Sequence, residues 1–394
     1  MTLPSCFRPL VESVGIRAMD TLTHALLGAA LGQVGFGRKL GWRATVIGVV
    51  GAELPDADFL IHSASDPLLN VELHRHFTHS FAFAPVIALL AVLPWFFRAA
   101  FKEQRLALFL CGLLACASHI LLDACTSYGT QFLVPFTQHR FGWDLISIVD
   151  PLFTGALLVG LVVKAISDFR FPISELEPDR RSSRVTYRWV WAALGFCAAY
   201  LALGAVQKAR AHGAQAELAA ARGHRRDRAE VMPTLGNQLV WRSLYLHEGR
   251  IYSDRLRVPW LGAVTGREGT SLPLVTQRDL SPAEVARDGP LRSFERFAWF
   301  SEGWLARAPG DPAVIGDMRY SLSAKAFDPI WGIRFTVPGA ATEVEWVNRS
   351  RDRRVALAEL WAEITGANPE FRLLGVQLTH ELTSPPPPPT NPGL

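Results

Sequence analysis

Charge is what this chain has least of. Only 19% of its 394 residues are Asp, Glu, Lys or Arg, 49% are hydrophobic, and the mean hydropathy is positive. An ordinary soluble domain carries more charge than this, so the composition points to a membrane protein with a soluble part. The net charge of +4 is small for the length. Lys and Arg gather between apolar segments instead of forming one long basic stripe, so a nucleic-acid partner is not expected. Cysteine is sparse and clustered: Cys111, Cys116 and Cys125 lie in or beside one apolar segment, Cys197 lies in another, and none occurs after residue 206. That excludes a disulfide framework and a thiolate zinc site. The first eighteen residues contain Pro4, Arg8, Pro9, Glu12 and Arg17 and lack the apolar core of a signal peptide. Residues 1–18 therefore read as an extension, with Met19 as an alternative start. The sequence also lacks an HExxH zincin helix, a GxSxG elbow and a P-loop, which leaves metal-assisted chemistry as its one catalytic signature.

Long apolar runs, by contrast, are plentiful. Residues 81–97 and 189–206 each approach the ~17–25 residues that cross the hydrocarbon of a bilayer. Residues 106–125 are as apolar but hold His119 and Asp123, and 151–166 come directly after Asp150, so each reads as a span with one functionalised end. Residues 22–36 are short and rich in Gly and Ala, and 44–61 are interrupted by Glu53, Asp56 and Asp58; either could be re-entrant or interfacial. Basic residues cluster at Arg38, Lys39 and Arg43, at Arg98, Lys102 and Arg105, and at Arg170, Arg180, Arg181, Arg184 and Arg188, which marks these loops as cytoplasmic. With six crossings, His24, Asp56, Asp58, His74, His79, His119, Asp123 and Asp150 all fall at the opposite face. The expected fold is an α-helical polytopic membrane domain of about six hydrophobic helices over 19–206. After it come a polar helical linker over 207–231, a small, mainly β (α+β) soluble domain over 232–384 and a Pro-rich disordered tail over 385–394. Strand texture stands out at 238–245, 250–252, 313–320 and 331–337, with one helix at 353–365. The charge pattern places the metal site and the C-terminal domain outside the cytoplasm.

The polar residues inside this apolar frame are the ones that can do chemistry. His119 and Asp123, four apart, share one helix face and could hold a common cation; ionisable residues in an apolar span are costly and functional by default. Their bland alternative is a hydrogen-bonded pair that packs two helices. The run His74-Arg75-His76-Phe77-Thr78-His79-Ser80 sits at the rim of a span, where neutral imidazole can bind metal and Thr78 or Ser80 can cap the next helix. In Pro55-Asp56-Ala57-Asp58 both carboxylates could reach one or two cations from a loop or helix N-terminus, but would diverge in a regular helix; one of them could equally be a cap. His24 opens the first apolar segment beside the possible caps Asp20, Thr21 and Thr23. Four His and three Asp on one face form a hard donor set suited to zinc, manganese or iron, large enough for two or three ions. Such ions lower the pKa of water and polarise a scissile group, and paired ions favour phosphoryl chemistry. Arg75 is placed either to neutralise an anionic substrate or to anchor its helix at the headgroups.

The set Met19-Asp20-x-x-Thr23-His24-x-x-x-Gly28, Pro55-Asp56-x-Asp58, His74-Arg75-x-x-Thr78-His79-Ser80, His119-x-x-x-Asp123-x-x-Thr126-x-Tyr128-Gly129 and Asp150-Pro151 resembles the YdjM-like family of predicted membrane-bound metal-dependent hydrolases of bacteria. The resemblance covers about residues 19–165 and implies a bacterial inner membrane location. That family is in turn distantly similar to zinc-dependent phospholipase C and S1/P1-type nucleases, which implies a zinc site built on a His-x-x-x-Asp helix and cleavage of phosphoesters. The implied metal ligands are His24, Asp56, Asp58, His74, His79, His119 and Asp123, with Asp56, Asp58 and Arg75 as catalytic candidates. His76 occupies a variable position of the pattern and is left out. The implied partners are the lipid bilayer and a phosphoester-type substrate at the membrane. Pro233-x-x-x-Asn237-x-x-x-Trp241 is similar to the stretch after the membrane domain in longer relatives. Two rival readings use the same residues: an ion or proton pathway, which needs polar groups in both halves of the membrane where the cytoplasmic half looks bare, and a non-catalytic anchor with a closed structural metal site.

Overall fold

The computed structural model describes residues 14–170, 180–285, 288–321, 323, 326–349 and 354–373. Most of the expected N-terminal extension, the whole Pro-rich tail and residues 171–179 of the third basic loop lie outside them. Helix α1 (Val14–Leu40) turns at Gly41, whose φ of 59° suits glycine, into α2 (Trp42–Glu53). The two pack backbone to backbone: a Cβ at Gly28 would lie 2.2 Å from the Gly48 carbonyl oxygen, and one at Gly32 would lie 2.3 Å from that of Ala44. Small residues permit this approach. A 3-10 helix, Leu54–Leu60, opens on Pro55 and continues directly from α2. Then come the short α3 (Leu69–Leu73), a 3-10 turn at Phe77–His79, α4 (Ala84–Phe96), α5 (Arg105–Ala124), α6 (Pro151–Arg170) and α7 (Arg180–Ala221).

Three helical stretches among the described residues are long and apolar enough to cross a membrane: Ala99–Ala124, Pro151–Asp168 and Tyr187–Ala221. Leu69–His79 and Ala84–Phe96, bent by 79°, make a fourth if taken as one broken span. The expected spans at 151–166 and 189–206 fall within the second and third, and 106–125 coincides with the first up to its end at Ala124. Residues 81–97 do not make an independent span, because α4 has only 13 residues. At 1.5 Å per residue that is about 20 Å, short of the ~30 Å hydrocarbon core. Its N-cap is Phe83; before it the chain runs through Ser80, whose hydroxyl donates to the Val134 carbonyl, and the His74–His79 turn. Neither α1 nor α2, which contain 22–36 and the start of 44–61, is among the helices long and apolar enough to cross.

The C-terminal region is mainly β, with two antiparallel sheets. One has the order β1 (Arg228–Pro233), β2 (Val240–His247), β3 (Arg250–Arg257), β4 (Thr265–Pro273) and β9 (Arg372–Leu373). The other has the order β5 (Leu305–Ala308), β6 (Asp311–Asp317), β7 (Trp331–Phe335) and β8 (Val344–Asn348). Among the described residues three α-helices accompany them, α8 (Pro282–Val285), α9 (Asp288–Phe300) and α10 (Arg354–Thr365). Glu248 and Gly249, both at positive φ (47° and 71°), make the two-residue turn between β2 and β3, a backbone that matches strand twist. The alternation of β2 then turns Trp241 toward Ala211 and Ala214 of α7, and Leu244 toward Met232, Trp304 and Met318. The distal part of α7, expected to be an amphipathic or solvated linker helix, packs one face against the first sheet. Gln207 and Gln215 are buried, with Gln207 Nε2 donating to the Val258 carbonyl (2.6 Å) and Gln215 Nε2 to the Leu244 carbonyl (2.9 Å).

The β region docks on the helices through a shared core. Leu68 and Val71 bury themselves with Phe294, Phe297 and Phe300 of α9 and with Ile315, Ile333 and Val344 of the second sheet. Beside them Arg296 grips two carboxylates at once, Asp66 (3.0 and 2.9 Å) and Glu72 (2.5 and 2.7 Å). The β region therefore sits over the end of the bundle that carries the His and Asp residues.

Candidate metal centre

Four elements deliver the centre. His24 comes from α1, Asp56 and Asp58 from the 3-10 helix after α2, His74, Arg75 and His79 from the turn before α4, and His119 and Asp123 from one face of α5. The Nε2 atoms of His79 and His119 are 3.0 Å apart. Around them lie Asp56 Oδ1, 3.3 Å from His79 and 3.6 Å from His119, and Asp123 Oδ2, 3.3 Å from His79 and 3.5 Å from His119. His24 Nε2 is 3.2 Å from Asp123 Oδ1, and the His24 and His119 ring centroids lie 3.9 Å apart with the planes tilted by 34°. His24, His79, His119 and Asp123 are buried, while the side chains of Asp56 and His74 stay about a quarter exposed (26% and 25%).

These donors fit a metal better than a hydrogen-bond network. Three overlapping groups bring their ligand atoms within 4.8 Å of one another: His24, His119 and Asp123; Asp56, His79 and His119; Asp56, Asp58 and His74. Most of the Nε2-to-oxygen separations are too long for good hydrogen bonds. Among the described residues both ring nitrogens of His24, Nδ1 of His119 and both Asp123 oxygens make no hydrogen bond of good geometry, although such buried atoms normally find partners. Two donors each about 2.0–2.1 Å from one ion in a tetrahedral shell lie roughly 3.3 Å apart, which is the range seen here. Buried His/Asp groups of this chain could therefore hold a metal.

The remaining residues of the site orient these donors. Asp58 is held on both oxygens: Oδ1 meets His74 Nδ1 at 2.9 Å, and Oδ2 accepts from the Arg75 backbone N–H and the Thr78 hydroxyl, both at 3.0 Å. Arg75 is held at a φ of 62°, a strained backbone for a residue with a side chain, of the kind that clusters at functional sites. Its guanidinium is buried, 2.9 Å from Asp123 Oδ1 and 3.4 Å from Asp20 Oδ2. It donates to the Thr126 hydroxyl at 2.9 Å and lies over the Tyr128 ring. Asp20, a motif residue that the sequence reading gave no role beyond a possible cap, contributes Oδ1 3.4 Å from His24 Nε2. Its signal was the Asp20-x-x-x-His24 spacing, the mirror of His119-x-x-x-Asp123. Asp150 does not join the cluster. It caps α6 by accepting from the N–H groups of Leu152 and Phe153, and it accepts the Tyr200 hydroxyl at 2.9 Å. His76 also lies outside the three groups.

A cavity of about 340 Å³ opens beside this cluster, between the helices and the β region, with Asp20, His74, Arg75 and Tyr128 at one end and Trp331 and Trp346 among its walls.

The family model of the YdjM inner membrane protein matches residues 19–211, a stretch that holds every donor named above. The chain is 35% identical over 132 residues to the inner membrane protein YbcI of Escherichia coli (strain K12), a stretch that is 32% of this chain and 75% of YbcI. The chain belongs to the YdjM inner membrane protein family. It is also 30% identical over 142 residues to the uncharacterized protein YfhP of Bacillus subtilis (strain 168), which covers 34% of this chain and 42% of YfhP, less than half of that relative's length. No solved structure matches the chain. The family match ends inside α7, so the β region lies beyond it. As a family member the chain is an inner membrane protein with several candidate spans.

Proposed function

We propose that this YdjM-family protein is a membrane-bound metal-dependent hydrolase of phosphoester bonds, acting at the outer face of the inner membrane. The observation that carries the proposal is the convergence of three imidazoles and two carboxylates at separations of 3.0–3.6 Å beside a cavity large enough for a small substrate. A zinc-type ion bound there would lower the pKa of water and polarise the ester. His119 belongs to two donor groups and Asp56 to two, which supports two neighbouring ions sharing ligands. Asp56, the more exposed carboxylate, is the candidate general base for the attacking water. Asp58 fixes the ring orientations of His74 and His79, the role that carboxylates commonly play behind metal-binding histidines. Arg75, facing the cavity, supplies positive charge where the phosphoryl oxygens would lie. Arg38, Lys39, Arg43, Arg98 and Lys102 flank the opposite ends of the helices from the cluster, which supports an outward-facing site.

The test is hydrolysis of bis(p-nitrophenyl) phosphate and of a short-chain phospholipid by the detergent-purified full chain supplied with zinc or manganese. Metal-dependent turnover that falls at least about 100-fold in His119→Ala is expected. Turnover undiminished in His119→Ala, or absent from protein that demonstrably holds its metal, contradicts the proposal.

A further inference from the structure

Away from the His/Asp cluster the same cavity reaches the five-stranded sheet, where it is lined by Arg242 of β2 and Arg255 of β3. The Glu248-Gly249 turn sets these two residues directly opposite each other, and the β3–β4 register sets Arg267 opposite Arg255. Three arginines thus form one row across three strands, although like charges facing each other across a ladder are destabilising. Their compensation is graded. Arg267 is answered by Glu363 (2.5 Å), Glu370 (2.9 Å) and Glu359 (3.0 Å). Arg255 has Glu363 alone, at 3.8 Å, and its Nε makes no hydrogen bond among the described residues. Arg242, next to the cavity, makes none of the described ion pairs; its Nη1 donates only to the Ser253 hydroxyl (3.3 Å) and the Met318 carbonyl (3.2 Å). Burial, and then the adjacent Arg255 cation, pull the Arg242 guanidinium well below the usual arginine range, against the opposing pull of the Glu363 and Asp317 carboxylates. A buried charge with no ion-pair partner costs several kcal/mol.

We propose that Arg242 and Arg255 bind a phosphate-type oxyanion on the substrate, at a point remote from the ester cleaved at the His/Asp cluster. Two guanidiniums offer the forked donors that match such an anion. Phe300, Tyr320, Trp331 and Trp346 line the same cavity and offer apolar and aromatic contacts to the rest of such a molecule, while Glu359 and Glu363, also in its lining, are engaged by Arg267. This proposal rests on the hydrolase reading for its idea of a substrate, and names the class: a molecule with an anionic group held apart from its scissile phosphoester.

Binding is measured on the metal-depleted full chain in a non-ionic, phosphate-free detergent, by equilibrium dialysis and thermal shift. Inorganic phosphate is the soluble probe, dioctanoyl phosphatidate the lipid probe, and acetate the carboxylate control. The intact protein is expected to bind a phosphate probe in preference to acetate, and Arg242→Met to weaken that binding by about ten-fold or more. Whichever probe binds tighter identifies the source of the anion. Without probe, Arg242→Met is expected to melt no lower than the intact protein, because it removes a buried charge with no ion-pair partner; an arginine with a merely structural role would lower the melting temperature on removal. Unchanged binding in Arg242→Met, no binding of either phosphate probe, or preference for acetate overturns the proposal. If Arg242→Met does not fold, Arg255→Met carries the same expectation for binding. Metal content is assayed on separate aliquots, so loss of the anion site and failure of the hydrolase reading are told apart.

Discussion

Replacing Asp123 with Asn keeps the shape of the side chain and removes the charge on which the centre converges. Asp123 faces His24 at 3.2 Å, His79 at 3.3 Å, His119 at 3.5 Å and Arg75 at 2.9 Å. In the metal-depleted protein the main loss is the Arg75 pair. Two unit charges 2.9 Å apart attract by about 6 kcal/mol at an effective dielectric near 20, and breaking a buried pair typically destabilises by about 3–5 kcal/mol. Asp20, 3.4 Å from Arg75 and less buried, retains part of the compensation, so the lower figure is expected. At roughly 2–4 °C per kcal/mol for a domain of this size, Asp123→Asn melts on the order of 10 °C below the intact protein after chelation. Asp20→Asn, with the longer contact, shifts melting by less than half as much. With metal present, Asp123→Asn also loses affinity by at least about 100-fold, beyond the effect usual for groups that merely orient a ligand. The assay is differential scanning calorimetry in detergent with and without chelator, alongside zinc titration. A metal-free melting temperature within about 2 °C of the intact protein's would refute the placement of Arg75 and Asp123 as a buried pair.

The other predictions concern packing, docking and metal linkage. Gly28→Val drives new atoms into the Gly48 carbonyl, which a Cβ alone would approach to 2.2 Å. It should cost about 3 kcal/mol or more and abolish detergent-stable protein, while Gly195→Ala, with nothing near its Cβ position, should be tolerated; equal stability of the two would contradict the close α1–α2 approach. Arg296→Ala leaves Asp66 and Glu72 without their shared cation and should raise hydrogen exchange in α3 and α9, loosening the docked β region by about 1–2 kcal/mol, discounted for partial exposure; unchanged exchange in both helices would contradict the clamp. Metal binding stabilises by about 4 kcal/mol at a thousand-fold saturation, so chelation should lower the melting temperature of the intact protein and leave that of a His119→Ala/Asp123→Ala variant unmoved.

The spans and the donors were legible because local rules decide them. Hydropathy located 106–125, 151–166 and 189–206, and the four-residue spacing placed His119 beside Asp123. Residues 81–97 do not cross alone because the helix there is confined to Ala84–Phe96 and bent by 79° from the segment before it, a break that hydropathy does not register. The geometry of Pro55-Asp56-Ala57-Asp58 stayed open in the sequence because it turns on helix type. As a 3-10 segment it sends Asp56 toward His79 and His119, and Asp58 toward His74 and the His79 Nδ1. Asp20 was hidden by its resemblance to a cap. The cavity and its arginines were beyond reach, since the meeting of Arg242 and Arg255 depends on strand register set by a Glu-Gly turn, a weaker hairpin signal than Asn-Gly. Whether the polar, Ala- and Arg-rich distal α7 is amphipathic or solvated stayed open in the sequence, and Gln207 and Gln215 on its buried face are polar. Their partners are backbone carbonyls of strands that no local pattern connects to the helix.

Elemental mass spectrometry on the detergent-purified full chain, beside His119→Ala/Asp123→Ala, tests the metal centre most directly. The donor geometry predicts about two zinc or similar ions per chain, lost from the double variant while membrane insertion is unaffected. No metal above background in either protein after reconstitution, or equal metal in both, would contradict a His/Asp metal centre and with it the hydrolase.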